Sequence, residues 1–442
     1  MANEMLDNIL VQIHIDDLTG LKNYKCLFHE HGEASLEHYH FIYVDIDDYN
    51  KMNMVFGVDT VDAMLIQVAK TLSEYCGKSD VYRVGNDQFL IVTNSQILCE
   101  ASALMTMLKQ PFKHNDLELT IDASIIVADH DLFEDDTLED TLKLLKMTAD
   151  LSKNEGHNRL IYTNDSHKER YNTIKEVETN LHSAMDRNEI FPKYRPFVDT
   201  FSYEIIGFEA VSRWNLNGRE LKPNSFLEVA QWTGIIYDIE MYIFKEALKF
   251  YQELKDGNKK KKKKDKYYSN FKAGINLSAY TLKRMEIETI IEMLLEYNMS
   301  AKDIIIEIDE ASITSRRVYH KIKNLYELGF IIILDNYSNQ NSSLSYLADL
   351  KVDILKLSES LLQKVNNSEE YNQMKAVYSF FVDFGKRFDL SIISTGVKTK
   401  EDLELLRELD IHIATGDYFT RAIVKDDFID YLENSKVRKV RF

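Results

Sequence analysis

The segment "FIIILD", residues 330–335, decides the fold of the C-terminal half, because it is a continuous apolar run that ends in a carboxylate. Strands that are buried on both faces of a parallel sheet have continuous apolar runs of this kind. Six further runs share the design of a short apolar stretch with a polar last residue. They are "IIGFE", "AGIN", "IIIE", "DILK", "SIIST" and "HIAT", which end at Glu209, Asn276, Glu307, Lys356, Thr395 and Thr415.

Segments with helical periodicity, such as "VYHKIKNLYELG", separate these runs. The alternation predicts a (β/α)8-type barrel, in which the C-terminal ends of the strands line the active face. Glu209, Asn276, Glu307 and Asp335 offer hard oxygen ligands, so their convergence predicts a site for Mg²⁺ or Mn²⁺. We expect Lys356, on a neighbouring strand, to contact phosphate or to hold an attacking water.

The N-terminal half has a different pattern. A buried strand, "FIYVDID" (41–47), is followed by a helix near 61–72, the hairpin "VYRVGNDQFLIV" (81–92), a helix near 96–108, a strand "LTIDASIIVA" and a helix near 137–153. This order predicts an α+β unit with an antiparallel ferredoxin-like or polymerase-palm sheet. We place this first domain at residues 1–165 and the α/β barrel domain at residues 172–442.

The tip of the hairpin, Gly85-Asn86-Asp87-Gln88, has two readings. Gly, Asn and Asp favour tight turns, so the segment is consistent with an ordinary surface hairpin. Alternatively, Asp87 meets Asp45 across adjacent strands, and the two carboxylates hold divalent cations that clamp a triphosphate.

Composition narrows the class of protein. A net charge of −18 argues against DNA binding, since phosphate contacts need basic surface. The chain has no apolar run of about 20 residues and no signal-peptide pattern, and its three scattered cysteines favour a reducing cytoplasm. The lysine run Lys259–Lys264 is interpreted as a solvated loop, with contact to anionic lipid or nucleic acid as the alternative.

Four motifs of the first half resemble the GGDEF family, whose intact members condense two GTP molecules into cyclic di-GMP. They occur in the family order and are "DDLTGLKNY" (16–24), "VDIDDYNKMNMVFGVDTVD" (44–62), "YRVGNDQF" (82–89) and "KNEGHN" (153–158).

The resemblance implies that Asp45 and Asp87 are metal-site carboxylates, that Asn53 and Asp62 read guanine, and that Lys153 contacts phosphate. Two signature positions differ from the family. Asn86 replaces a glycine that lies against the nucleotide, and Gln88 replaces a glutamate and cannot serve as an anionic ligand. Cyclase activity is therefore not expected, whereas GTP binding without turnover remains open.

Residues 172–435 resemble the EAL family, whose intact members hydrolyse cyclic di-GMP to the linear dinucleotide in a two-metal barrel. The motifs are "FEAVSRW", "INLSA", "IEIDEAS", "LDNYSNQNSSLSYLADLKVDILKLS" and "TGVKTKEDLELL". The resemblance implies metal or catalytic roles for the four oxygen ligands and Lys356, and a phosphate contact for Arg213.

The barrel also departs from its family at reactive positions. Asn336 replaces the second of two adjacent aspartates, and Thr395 replaces a glutamate with a base or metal-supporting role. Thr415 and Arg195 replace glutamines of the active face, and Arg195 adds a positive group at the mouth. The family's glycine-bearing loop after the two adjacent aspartates is Ser338-Asn339-Gln340 in this chain.

The leading hypothesis is a catalytically inactive protein of bacterial cyclic di-GMP signalling, either a receptor or a regulatory scaffold, which needs no metal. The alternatives are a weak metal-dependent phosphodiesterase and an interaction module that binds no nucleotide. A protein partner is expected in each case, and homodimerisation through the barrel is expected from the EAL resemblance. The sequence identifies neither the partner nor the input signal.

Overall fold

The chain divides into two compact units, Met1–Lys175 and Glu176–Phe442. The computed structural model describes residues 13–438 except 33–35, 37, 78–79, 95–100, 116, 133–135, 155, 261–270, 311–312, 314, 338–349 and 363–367. The domain limits 1–165 and 172–442 stay predictions. No helix of the described residues has the length and apolar character needed to span a bilayer.

The first unit is built on a six-stranded sheet in the order β1-β3-β4-β2-β7-β8, with a separate hairpin of β5 and β6. Its strands are β1 (Lys22–Asn23), β2 (His40–Ile46), β3 (Val81–Arg83), β4 (Gln88–Thr93), β5 (Phe112–His114), β6 (Leu117–Leu119), β7 (Ala123–Ala128) and β8 (Leu160–Tyr162). The central strand β2 is antiparallel to both β4 and β7.

Helices cover both faces of this sheet. They are α1 (Tyr24–His31), α2 (Tyr49–Phe56), α3 (Val58–Cys76), α4 (Ala101–Leu108) and α5 (Leu138–Asn154). Side chains of β2 alternate between two cores, with Val44 packed in the core that holds α3 and Tyr43 in the core that holds α5. The predicted helix near 96–108 is described from Ala101 onward, and residues 95–100 lie outside the described part.

The second unit is a closed barrel of eight strands, because β9 pairs with both β17 and β10, and β11 extends one side as a hairpin. The strands are β9 (Ile190–Asp199), β10 (Ile205–Leu216), β11 (Arg219–Leu221), β12 (Lys272–Asn276), β13 (Ile304–Asp309), β14 (Ile331–Tyr337), β15 (Ile354–Leu357), β16 (Ser391–Ser394) and β17 (Ile413–Ala414). The predicted mixed α/β fold with a barrel is confirmed.

Strand β9 was not predicted, and it differs from the other barrel strands in direction. It is antiparallel to both β10 and β17, whereas β10 and β12–β17 pair in parallel with one another. The physical reason is the short connection 200–204 between β9 and β10. A parallel pair needs a crossover of a dozen residues or more, so a connection this short fixes an antiparallel pair.

The helices of the second unit surround the barrel, and α6 begins in the first unit. They are α6 (Asp165–Ala184), α7 (Leu227–Thr233), α8 (Ile236–Lys260), α9 (Ala279–Arg284), α10 (Ile287–Glu296), α11 (Arg316–Glu327), α12 (Ser368–Phe388), α13 (Lys400–Glu408) and α14 (Lys425–Arg438). The first two lysines of the run 259–264 end α8, so the predicted loop begins as helix. The other four lysines lie outside the described residues.

An apolar layer fills the barrel below its mouth. It consists of Phe197, Ile305, Ile333 and Ile393, which come from four different strands. Since side chains two positions apart on a strand share a face, the next residues along these strands that point the same way form the layer above.

Candidate functional site

The layer above the apolar one is polar. Glu307 and Asp335 each follow a residue of the apolar layer by two positions, and Arg195 precedes Phe197 by two positions on the antiparallel strand. Glu209 lies directly opposite Arg195 in the β9–β10 pair. The strands therefore bring these predicted site residues to one level of the barrel.

Lys356 is the centre of this level. Its Nζ lies 2.5 Å from Glu307 Oε2, 3.1 Å from Asp335 Oδ2 and 3.4 Å from Glu209 Oε2. The residue is only 2% exposed. Burial by itself lowers the pKa of the ammonium group, but the three carboxylates outweigh burial and raise that pKa above its usual value. Lys356 is thus held in its charged form.

The two buried glutamates titrate in opposite directions. Burial favours the neutral form of Glu209, but Lys356 and Arg195 reverse this and lower its pKa to about 2. Arg195 Nη1 lies 3.5 Å from Glu209 Oε2, and Asn276 Nδ2 donates to Glu209 Oε1 at 3.0 Å. Burial, together with the negative charge of Glu209, raises the pKa of Glu307 to about 8. Glu209 is therefore held in its charged form, whereas Glu307 is driven toward its neutral form.

Gly274 provides the space for Glu307 and was missed as a site residue. A Cβ atom at this position would lie 2.6 Å from Glu307 Oε1 and 3.1 Å from a ring carbon of Phe197. The signal was present in the run "AGIN", where a glycine interrupts a strand two residues before Asn276.

The carboxylate cluster fits a divalent cation. Glu209, Glu307 and Asp335 offer oxygens that all lie within 4.8 Å of one another, and no other such group of three occurs among the described residues. Within that part of the chain, Glu307 Oε1 is buried and accepts no hydrogen bond, whereas Glu209 Oε2 has only the longer ion pairs with Lys356 and Arg195. A buried oxygen without a hydrogen bond, in a set of hard ligands, suits Mg²⁺ or Mn²⁺.

Three predicted site residues are engaged elsewhere or left unpaired. Asn336 has a left-handed backbone (φ 56°), and its Nδ2 donates to Asp309 Oδ2 at 2.8 Å. Thr395 donates its hydroxyl to the carbonyl of Leu357 at 2.9 Å. Thr415 is fully buried, and its hydroxyl has no hydrogen-bond partner among the described residues.

Arg213 lies further along β10 and is buried. Its Nη1 donates to the carbonyl of Ser212 at 2.8 Å, and its Nε lies 3.4 Å from Glu220 Oε1. Glu220 was not predicted as a site residue, and neither was Lys193, which contacts the same carboxylate.

The predicted site of the first unit centres on Asp45, which is 1% exposed. Gln88 Nε2 donates to Asp45 Oδ2 at 3.1 Å, and Lys153 forms an ion pair with Asp45 Oδ1. Burial, followed by the negative charge of Asp45, raises the pKa of Asp87. The two carboxylates thus influence each other, but both oxygens of Asp45 already have partners, and a metal site here stays a prediction.

The remaining predicted residues of this unit lie around the hairpin and helices. Asn53 is on α2 and Asp62 is on α3, and both are half-buried. Asn86 is exposed, and its carbonyl accepts from Arg83 Nη2 at 2.6 Å. Arg83 also pairs with Asp16 at 2.9 Å, so this missed ion pair ties the hairpin to the N-terminal segment.

Comparison with known proteins defines the class of the chain. The family model of the EAL domain matches residues 178–422, and the model described as "Diguanylate cyclase, GGDEF domain" matches residues 13–159. The first match covers more than half of the chain. The chain therefore belongs to the EAL-domain family, with a GGDEF domain preceding the EAL domain.

Two curated relatives illustrate the match. A probable cyclic di-GMP phosphodiesterase, PdeB of Escherichia coli, is 28% identical over 263 residues, which are 59% of this chain and 48% of the relative. The signaling protein YkoW of Bacillus subtilis is 26% identical over 443 residues, which are 95% of this chain and 53% of the relative. The chain spans about half the length of these relatives.

Solved structures share the fold. The S helix-GGDEF-EAL structure of Vibrio cholerae LapD, bound to c-di-GMP, superposes with a TM-score of 0.60 at 15% identity and covers 94% of this chain and 98% of that chain. The c-di-GMP complex of the PaMucR phosphodiesterase gives a TM-score of 0.51 at 24% identity and covers 57% of this chain and 99% of that chain.

Proposed function

We propose that this chain is a cyclic di-GMP receptor or regulatory scaffold whose EAL domain binds the dinucleotide without hydrolysing it. The EAL and GGDEF matches, and the c-di-GMP bound in the LapD and PaMucR structures, support the choice of ligand. The lack of turnover is inferred from the contacts of individual residues.

The observation that carries the proposal is the side chain of Asn336. It stands where the family resemblance places a second aspartate, and its amide donates to Asp309 rather than offering a charged oxygen. Two dications held close together need several anionic ligands to offset their repulsion. Residues 335 and 336 therefore supply one carboxylate where two are needed. That carboxylate, of Asp335, also lies 3.1 Å from Lys356 Nζ.

Thr395 also supports the lack of turnover. The resemblance places a glutamate here, but a hydroxyl that donates to the Leu357 carbonyl cannot take a proton from water. Loss of a general base typically costs about 10²–10⁴-fold in rate. The effects of groups that act together are not additive, but either replacement is large enough to end useful turnover.

The retained groups suit binding. Lys356, Arg195 and Arg213 are cations at or above the carboxylate level, and phosphodiester groups prefer such donors. Glu209 and Glu307 orient Lys356, and Arg195 is in turn held by Glu209. These residues bind and orient an anionic ligand whether or not a metal is present.

A weak phosphodiesterase is the second candidate, and the buried Glu307 Oε1, which accepts no hydrogen bond among the described residues, favours it. Mg²⁺ or Mn²⁺ held by Glu209, Glu307 and Asp335 would supply Lewis-acid polarisation of a phosphate oxygen. The chain's own residues hold the ion and keep Lys356 charged beside it. The receptor remains the better supported candidate because of Asn336 and Thr395.

Calorimetry with cyclic di-GMP on the full chain tests the receptor. We expect binding in the wild type, a loss of at least tenfold in Arg213→Ala, and no change in Arg219→Ala. Arg219 is the matched control, since it is an exposed arginine on β11 that pairs with Glu176. An absence of heat at high micromolar protein would contradict the receptor and leave an interaction module without nucleotide.

A second assay separates receptor from enzyme. The chain is incubated with cyclic di-GMP and Mn²⁺, and the linear dinucleotide is measured. We expect no product. Product that disappears in Glu209→Ala would establish the weak phosphodiesterase, whereas product that persists in that variant indicates a contaminant.

A further inference from the structure

Three cations share one face of the β9–β10 pair. In the register, Arg195 lies opposite Glu209, Lys193 opposite Val211, and Arg213 opposite Phe191. Residues directly opposite each other in an antiparallel pair share a face, as do residues two apart on one strand. Lys193, Arg195 and Arg213 therefore form a row on the face of Glu209, running from the carboxylate level toward the end of β10.

The outer part of this row is occupied by a carboxylate of the chain itself. Lys193 Nζ lies 2.7 Å from Glu220 Oε2 and 2.9 Å from Glu220 Oε1. Arg213 Nε lies 3.4 Å from the same Oε1. One anionic group thus contacts two cations on the face where the proposed ligand would bring its phosphate.

The two cations differ from the carboxylate in exposure. The side chain of Arg213 is 9% exposed, whereas that of Glu220 is 42% exposed. Burial, followed by the charge of Arg195, lowers the pKa of Arg213, and Glu220 acts in the opposite direction. A buried cation beside another cation needs an anion, and the present one is accessible to solvent. Ion pairs with an exposed partner are weak, so an incoming anion exchanges with Glu220 at little cost.

The hairpin that carries Glu220 is fixed independently of this contact. Its turn is Asn217-Gly218, and both residues have positive φ, as a tight two-residue hairpin turn requires. Glu176 accepts from Asn217 Nδ2 at 2.9 Å and from Arg219 Nη2 at 2.6 Å. One carboxylate therefore anchors the hairpin, while the other, Glu220, contacts the cation row.

We propose that Glu220 is a built-in competitor for the anionic ligand of the barrel, and that Lys193 is an additional anion-binding residue. A phosphate group of the ligand replaces the Glu220 carboxylate on Lys193 and Arg213, and the hairpin stays in place. The inference rests on the proposed binding of cyclic di-GMP. It adds a residue that lowers affinity by occupying the site.

The test is calorimetry of cyclic di-GMP with full-length wild type, Glu220→Gln and Glu176→Gln. Both variants lose one carboxylate from the hairpin contacts, but only Glu220→Gln frees the cation row. We expect affinity to rise roughly threefold to tenfold in Glu220→Gln and to stay unchanged in Glu176→Gln. Lys193→Ala in the Glu220→Gln background should remove most of the gain.

Folding is checked by the tryptophan fluorescence midpoint in urea, and Glu220→Thr serves as a second variant with good strand propensity. Equal affinity in all three proteins overturns the competitor and leaves the receptor intact. An equal gain in both variants, or weaker binding in Glu220→Gln, also overturns it. Binding seen only in Glu220→Gln supports it, whereas no binding in wild type or Glu220→Gln overturns both this inference and the receptor.

Discussion

The sites of the two units both place a lysine against buried carboxylates, but they differ in charge balance. In the first unit, Asp45 has both oxygens engaged, one by the Gln88 amide and one by Lys153. In the barrel, Lys356 contacts three carboxylates, and Arg195 provides the second cation of that level. In both sites one carboxyl group beside a buried carboxylate has a raised pKa, Asp87 in the first and Glu307 in the second, but only the barrel gathers three carboxyl groups around one lysine.

The difference teaches that two sites with a lysine beside a buried carboxylate can still differ in whether they need a further cation. An amide at residue 88 supplies a hydrogen-bond donor where a carboxylate would supply charge, so Asp45 needs no further cation. In the barrel, the change at Asn336 lies at the edge, and the three central carboxyl groups remain. Burial and the negative charge of Glu209 raise the pKa of Glu307 to about 8, so this group is driven toward its neutral form unless a further cation is present.

The largest expected effect is that of Lys356→Met. Removing the cation that contacts two buried carboxyl groups and the half-buried Asp335 should lower the free energy of unfolding of the barrel by about 3–5 kcal/mol. Urea denaturation measures this, because both tryptophans of the chain, Trp214 and Trp232, lie in the barrel unit. Lys153→Met is the comparison in the first unit, where hydrogen exchange of β2 should report a smaller loss, because the Gln88 amide still donates to Asp45. Equal losses would remove the proposed contrast.

The next largest effect should be that of a divalent cation, which should bind the barrel site and not the site at Asp45. Mn²⁺ at 100 times its dissociation constant should stabilise the barrel by about 2.7 kcal/mol, seen as a rise in the tryptophan unfolding midpoint. Glu307→Gln should abolish the rise, since it removes one of the three carboxylates, and Asp45→Asn should not change it. A rise that survives Glu307→Gln would place the ion elsewhere.

Gln88→Glu should make the first unit require a divalent cation for full stability. The substitution removes the amide donor and sets a second carboxylate beside Asp45, so we expect a loss of about 1–3 kcal/mol without metal. Hydrogen exchange of β2 and β4 measures the loss, and Mg²⁺ should restore protection. Gln88→Ala, which removes the donor without adding charge, is the control and should not respond to Mg²⁺.

The last prediction concerns pH and Glu240 on α8, another buried carboxyl group of the barrel unit. Burial raises its pKa to about 7, although Thr281 and Ser278 donate to it. Because the folded state binds this proton more tightly than the unfolded state, stability should fall as pH rises from about 4.5 to about 7. The slope should be on the order of 1 kcal/mol per pH unit.

Urea midpoints of wild type and Glu240→Gln across this pH range test the expectation. The variant should show a shallower decline, since glutamine keeps the hydrogen-bonding shape without a titrating proton, whereas Glu307, whose pKa is raised to about 8, still titrates in both proteins. Parallel curves for the two proteins would show that Glu240 is not the group responsible.

Much of the barrel was predictable because parallel strands are buried on both faces and so appear as apolar runs. The seven runs from "IIGFE" to "HIAT" all correspond to strands. Strand β9 was not recognised because it has no continuous apolar run, and its buried and half-buried residues are mixed around Pro192 and Pro196. Its direction follows from a short connection rather than from its own residues.

The predicted site residues divide in the same way. The positions of Glu209, Asn276, Glu307, Asp335 and Lys356 at strand ends led us to predict that they lie together. This prediction needs only strand order and the alternation of side chains. Gly274 and Glu220 were missed, because their effects depend on the distance to a side chain on another element. The contact between Gln88 and Asp45 was also missed, since the substitution was interpreted only as a loss of charge.

The sequence by itself determined the two-part organisation, the apolar strands of the barrel and the residue types at their ends, because these follow from local periodicity. Only the tertiary structure decided which charges are balanced. Lys356 meets three carboxylates while Lys153 meets one, and Glu220 contacts cations that lie on two different strands. Charge balance depends on distances between segments far apart in the chain, and no local pattern encodes those distances.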